Sequence, residues 1–133
     1  MKFTVFFFSC FLILVLCLSC SKEAGEGGNS SIIGHVWVKD INSTFQVQSQ
    51  YDGFDEDVYI IYGDDISYSD RIRSSYDGAF EFKYLRPGKY KIFMYSEDSV
   101  APASNPNNVT ILKEIEIREK KQEVDAGTFT IFK

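Results

Sequence analysis

From Ser31 to the C-terminus, short apolar runs alternate with polar residues at a period of two, and no window of 11 or more residues keeps helical spacing. A chain patterned this way folds into strands, because only the pleat returns every second side chain to the same face. The clearest case is Ala79-Phe80-Glu81-Phe82-Lys83-Tyr84. Phe80, Phe82 and Tyr84 share one face and Glu81 and Lys83 the other, so one side packs and one side is wet. Asp77-Gly78 before it reads as a type I′ hairpin turn, since that turn needs positive φ at both central positions. Arg86-Pro87-Gly88 after it reads as a second tight turn, leading into Tyr90, Ile92 and Met94. Phe80, Phe82, Tyr90 and Ile92 are therefore expected to be buried neighbours across a hairpin.

The other strands expected are Ile32 to Val38, Thr44 to Gln48, the β-branched and aromatic run Val58 to Tyr62, Ile111 to Ile117, and Val124 to Phe132 with a bulge at Gly127. Residues 99 to 108 hold two prolines and three asparagines and read as the longest loop. These elements predict an all-β domain, a single seven-stranded sandwich of Greek-key type.

The N-terminus has a different chemistry. Lys2 precedes an apolar run from Phe3 to Leu18, which closes on Ser19-Cys20. Positive start, apolar core and small residue before a cut are the parts of an export signal. Leu16-Cys17-Leu18-Ser19-Cys20 resembles a bacterial lipobox, with Cys17 standing where the pattern has leucine. The expected organisation is a signal peptide over 1–19, lipidated Cys20 with a flexible tether to residue 31, and the sandwich over 32–133. The alternative is an uncleaved anchor, but about 17 apolar residues is short for crossing a bilayer. All three cysteines, Cys10, Cys17 and Cys20, fall in or at the end of this segment. The mature domain therefore lacks disulfides, thiol ligands and a thiol nucleophile, and must hold itself together by core burial. The tether, SKEAGEGGNSS, is rich in Gly, Ser and charge, a composition that orders poorly by itself. The predicted location is the cell envelope, on the periplasmic or surface face of the outer membrane. The formal net charge of −5, with no basic stripe, argues against nucleic acid and against anionic lipid as partners of the protein surface.

The run SSYDGAFEFKYLRPGKYKIFMY resembles the core of carboxypeptidase regulatory-like domains, also called transthyretin-like or prealbumin-like. Asp77, Gly78, Phe80, Phe82, Leu85, Pro87, Gly88 and Tyr90 sit at the matching positions. The resemblance implies a β-sandwich that serves as an accessory, spacer or ligand-binding module, and fold alone does not choose among these.

Catalysis finds little material. His35 is the only histidine, and no Gly-x-Ser-x-Gly elbow occurs. No cofactor is expected. Asp52, Asp55 and Asp57, with Asp64 and Asp65 a strand later, supply the oxygen ligands calcium needs but lack the spacing of an EF-hand loop. The plainer reading is a solvated loop guarding a strand edge. Aromatic residues exceed what one core face requires: Trp37, Tyr51, Phe54, Tyr59, Tyr62, Tyr68 and Tyr76. Of these, Trp37, Tyr51 and Phe54 are the first choice for a ligand patch, because outward rings stack on sugars or anchor protein interfaces. Asp98-Ser99-Val100 resembles an O-glycosylation acceptor, with Ser99 as the modified residue. The sequence thus predicts a non-enzymatic, lipid-anchored accessory, adhesion or structural module that meets the membrane through its lipid and has a glycan or envelope protein as possible partner. The alternative is a carbohydrate-binding module beside an outer-membrane glycan importer.

Overall fold

The computed structural model describes residues 23–99 and 108–133. The signal segment, Cys20 and most of the Pro-rich loop lie outside the described residues. Eight strands form: β1 (Glu26–Ile41), β2 (Val47–Asp52), β3 (Asp57–Tyr62), β4 (Asp70–Arg73), β5 (Ala79–Leu85), β6 (Gly88–Glu97), β7 (Asn108–Ile117) and β8 (Glu123–Phe132). The all-β sandwich is as expected, with one strand more. The extra element is β4, four residues long, whose pattern is too short to stand out.

In sheet A, β1 is the central strand. Its first part pairs with β5, its last part with β2, and its other edge runs parallel to β8. Sheet B has the order β4-β3-β6-β7, all antiparallel. The inward positions of both sheets meet in one core. Val36 and Val38 of β1 face it, with Val58 and Ile60 of β3, Ile92 of β6 and Phe129 of β8, all fully buried. Gly34 belongs to this packing: a Cβ there would come within 2.3 Å of the Phe80 ring, so the ring takes the space that a side chain would need. Gly127, at φ 71, makes the expected bulge in β8, where the pairing with β1 slips a register between Ile33 and His35.

Four local expectations are corrected. The turn at Asp77-Gly78 is not type I′: only Gly78 has positive φ (75), Gly78 N donates to Ser75 O at 2.9 Å, and Ser75 N donates to Ala79 O at 2.8 Å. It is a type I turn followed by a left-handed glycine. The hairpins themselves are absent, because β4 and β6 lie in sheet B while β5 lies in sheet A. Phe80, Phe82, Tyr90 and Ile92 are buried as expected, yet they face each other across the sandwich instead of along one sheet. The β2 strand also begins later than expected, at Val47, because Asn42 organises the preceding turn by accepting bonds from the Thr44 and Gln46 amides at 2.9 and 3.0 Å.

The fourth correction concerns the tether. Residues 26 to 31 belong to β1, and Gly25 and Ser30 are buried. Gly25 N donates to Tyr90 Oη at 2.9 Å, Arg86 N donates to Gly25 O at 2.8 Å, and Tyr90 Oη donates to Arg86 O at 2.6 Å. Composition marks this stretch as disordered, but the β5–β6 turn presents backbone partners that hold it.

Candidate recognition surface

Trp37, Tyr51 and Phe54 do not share a patch. Trp37 lies opposite Asp52 in the β1–β2 ladder and Tyr51 opposite Val38, so the two rings point to different faces of sheet A. Trp37 is half-buried on the outer face, beside the His35 ring (6.3 Å between centroids), and its Nε1 donates to Gln50 Oε1 at 3.3 Å. Tyr51 points to the core side at the sheet edge and remains exposed. Phe54 sits in the β2–β3 loop against Tyr76, 5.7 Å away.

Three of the carboxylates considered for calcium, Asp52, Asp55 and Asp57, already have side-chain partners. Asp52 Oδ1 is 2.8 Å from His35 Nε2. Arg73 Nη1 donates to both oxygens of Asp55 at 2.9 and 3.0 Å, and its Nε lies 3.3 Å from Asp57. Arg71 reaches Asp57 at 3.5 Å. These bonds, led by the one to Asp55, hold the Arg73 guanidinium above its ordinary pKa. Among the described residues no group of three His, Cys, Asp or Glu side chains is placed to hold a metal. Ser99 is half-buried at the end of the β6 segment, and Val100 of the modification motif lies outside the described residues.

A depression of ≈ 590 Å³ runs where β4 approaches β5, lined in part by Ile33, His35, Ile72, Arg73 and Glu81. Several of its polar side chains already have partners: His35 meets Asp52, Arg73 meets Asp55, Glu81 meets Lys83 at 3.1 Å, and Asp125 accepts from the Gly127 amide at 2.7 Å.

The aromatic residues gather instead on the outer face of sheet B. Val58 and Ile60 are buried, so Tyr59 between them points outward. On β6, Lys89 and Lys91 set the outward parity, and Phe93 and Tyr95 continue it. The register places Tyr59 opposite Phe93 and Phe93 opposite Leu112 of β7. Tyr59 stacks on Phe93 with centroids 4.9 Å apart and planes at 10°. Tyr68, from the β3–β4 loop, meets the Tyr59 ring edge-on at 5.1 Å. Tyr95 does the same from the next position of β6, at 5.6 Å from both Tyr59 and Phe93. Both geometries suit ring quadrupoles. Phe93 is 8% exposed, whereas Tyr68 and Tyr95 are 55% and 53% exposed. The result is a platform whose base is a stacked pair, Phe93 buried and Tyr59 partly buried, with two half-exposed phenols.

Charges frame it without dominating it. Arg71 lies opposite Tyr59 and is tied to Asp57, and Lys91 lies opposite Glu114. Among the aromatic residues in apparent excess, Tyr59 and Tyr68 join this site. Phe93 and Tyr95 were not anticipated, although carrying the Lys89-Lys91 parity two positions further would have put them on the same face.

No family model matches the chain, and no curated protein matches it. Among solved structures, it is similar to a candidate carbohydrate-binding protein of Pseudomonas aeruginosa, at 11% identity and a TM-score of 0.49, over 83% of this chain and 92% of that one. It is also similar to a 9R-lipoxygenase of Cyanothece, at 16% identity and a TM-score of 0.37, over 79% of this chain and 16% of that one.

Proposed function

We propose that this chain is a non-enzymatic, lipid-anchored envelope protein, an accessory or adhesion module that presents the outer face of sheet B to a ligand. The observation that carries this reading is the ring cluster of Tyr59, Phe93, Tyr68 and Tyr95. Its base is preorganised by stacking, so binding need not order it, and its two exposed phenols combine apolar area with a hydrogen-bonding tip. The N-terminal resemblance to a lipoprotein signal ending at Cys20 supports attachment at the outer membrane, on its periplasmic or surface face. The likeness of the Asp77 to Tyr90 run to carboxypeptidase regulatory-like domains supports an accessory role.

A second reading, a carbohydrate-binding module working beside an outer-membrane glycan importer, is favoured by the charge balance of the same face. Arg71 and Lys91 each have a carboxylate close by or directly across the ladder, which leaves the half-exposed phenols as the principal contacts and suits an uncharged ligand with C–H faces. A glycan array and a pull-down from envelope extract, each probed with the mature protein and with a Tyr68→Ala/Tyr95→Ala variant, test the two readings. Glycan binding that the variant loses establishes the second reading. Binding to an envelope protein that the variant loses establishes the first. Ligand binding that survives the double substitution removes this face from either reading.

A further inference from the structure

We infer that the end of the sandwich built from the β5–β6 turn, the β3–β4 loop and the β7–β8 turn rests against a zwitterionic phospholipid surface. This rests on the reading of Cys20 as the lipidated residue.

The length of chain outside the fold carries the argument. Gly25 is pinned by Tyr90 and Arg86, and Ala24 is seated on Gly88, where an added Cβ would fall 2.6 Å from the Ala24 methyl. Only Ser21, Lys22 and Glu23 then separate Cys20 from the first seated residue. Four residue steps span at most about 14 Å even when fully extended. A tether running to residue 31 would let the domain drift and tumble; this one holds one end of it at the headgroups. By contrast β1, 16 residues long, carries the chain up to about 50 Å away at roughly 3.3 Å per residue. The Asn42 to Gln46 turn therefore lies at the far end.

Several groups gather at the near end. Gly63 approaches Ala24, with 3.9 Å between its Cβ position and the methyl, so the β3–β4 loop starts beside the leash. Ile66, in that loop, is fully exposed (103%) and contributes nothing to the core. Gly88 pairs with Ile117, which brings the following turn, with Lys120 and Lys121 exposed, to the same end. Asp64 and Asp65 share the loop of Ile66, and Glu119 shares the turn of Lys120 and Lys121. Mixed charge around an exposed apolar side chain matches a headgroup layer carrying both phosphate and ammonium, with Ile66 reaching the acyl boundary.

The test uses the full lipidated protein in phosphatidylethanolamine/phosphatidylcholine vesicles containing a headgroup-linked quencher. Because the mature chain has no cysteine besides Cys20, Ser67→Cys reports the near end and Ser43→Cys the far end after fluorophore labelling. Quenching is expected to be several-fold stronger at position 67 than at 43. Inserting a 12-residue Gly-Ser segment between Glu23 and Ala24 should abolish most of that difference, and Ile66→Asp should reduce it without loss of flotation. Equal quenching at the two sites in a protein that floats with the vesicles overturns the orientation alone. A chain that neither floats nor carries the mass of a lipid at Cys20 overturns the anchor reading and the orientation with it.

Discussion

On sheet A, the outward positions bring His35 to Asp52, Trp37 to Gln50 and Glu81 to Lys83. On sheet B, the same alternation brings Tyr59 to Phe93, Phe93 to Leu112 and Tyr95 onto Tyr59, and the β3–β4 loop adds Tyr68. Each face is a set of every-second residues, yet one is a collection of separate polar pairs and the other a single aromatic block. Exposed ion pairs contribute about 0 to 1 kcal/mol each, because solvent screens them and long side chains lose entropy. Aromatic pairs contribute about 0.5 to 1.5 kcal/mol beyond their burial, and here each ring restrains the next. Cross-strand partners, more than the composition of any one strand, decide how rigid a face is.

The largest effect should come from beneath both faces. Phe82, 3% exposed, packs in the core beside Phe80, and Phe82→Ala should destabilise by about 3 to 5 kcal/mol through cavity formation. Denaturant unfolding measures it, and a loss below about 1 kcal/mol would show that the core is not shared as described. Next is Tyr59→Ala, which removes three ring contacts and should cost about 1 to 3 kcal/mol. If it proves as mild as a typical surface change, the two faces do not differ in rigidity.

Trp37→Ala on sheet A should cost less than Tyr59→Ala, because its ring neighbour is the distant His35 and its hydrogen bond is long and exposed. A cost above that of Tyr59→Ala would reverse the comparison and return Trp37 to the head of the ligand candidates. Smallest is an alkaline effect where the sheets meet. Burial, reinforced by Glu26 and then Asp70, raises the Tyr62 hydroxyl from its ordinary 10.0 to about 12. The folded state thus keeps a proton that the unfolded chain releases. The associated stability is complete below pH 10 and is lost as pH rises toward about 12. Tyr90 is raised in the same direction by burial, so Tyr62→Phe should flatten, without abolishing, the fall of the thermal midpoint across that window. An unchanged slope in Tyr62→Phe would mean that Tyr62 is not linked to folding.

Short-range physics made much of this molecule legible from its residues. Alternation put Phe80, Phe82, Tyr90 and Ile92 inside, Glu81 and Lys83 outside, and Gly127 at a bulge, because the pleat assigns each side chain a face from its neighbours alone. The sandwich follows, since two half-apolar sheets must cover each other.

Tertiary structure decided which sheet each strand joins. The turns after Tyr76 and Leu85 have the residues of hairpins but carry the chain across the core, because a turn sets a local reversal and leaves the pairing partner open. It also gave structure to the glycine-rich stretch before Ile32. Gly25 to Ser31 has no apolar pattern of its own and becomes structured by bonding to Tyr90, Arg86 and the β5 edge, partners more than 50 residues away. The aromatic platform has the same origin: Tyr59, Tyr68, Phe93 and Tyr95 are scattered in the chain, and only the β3–β6 register and the β3–β4 loop bring them into contact. Face parity is a property of adjacent residues, whereas neighbourhood across strands depends on the whole chain.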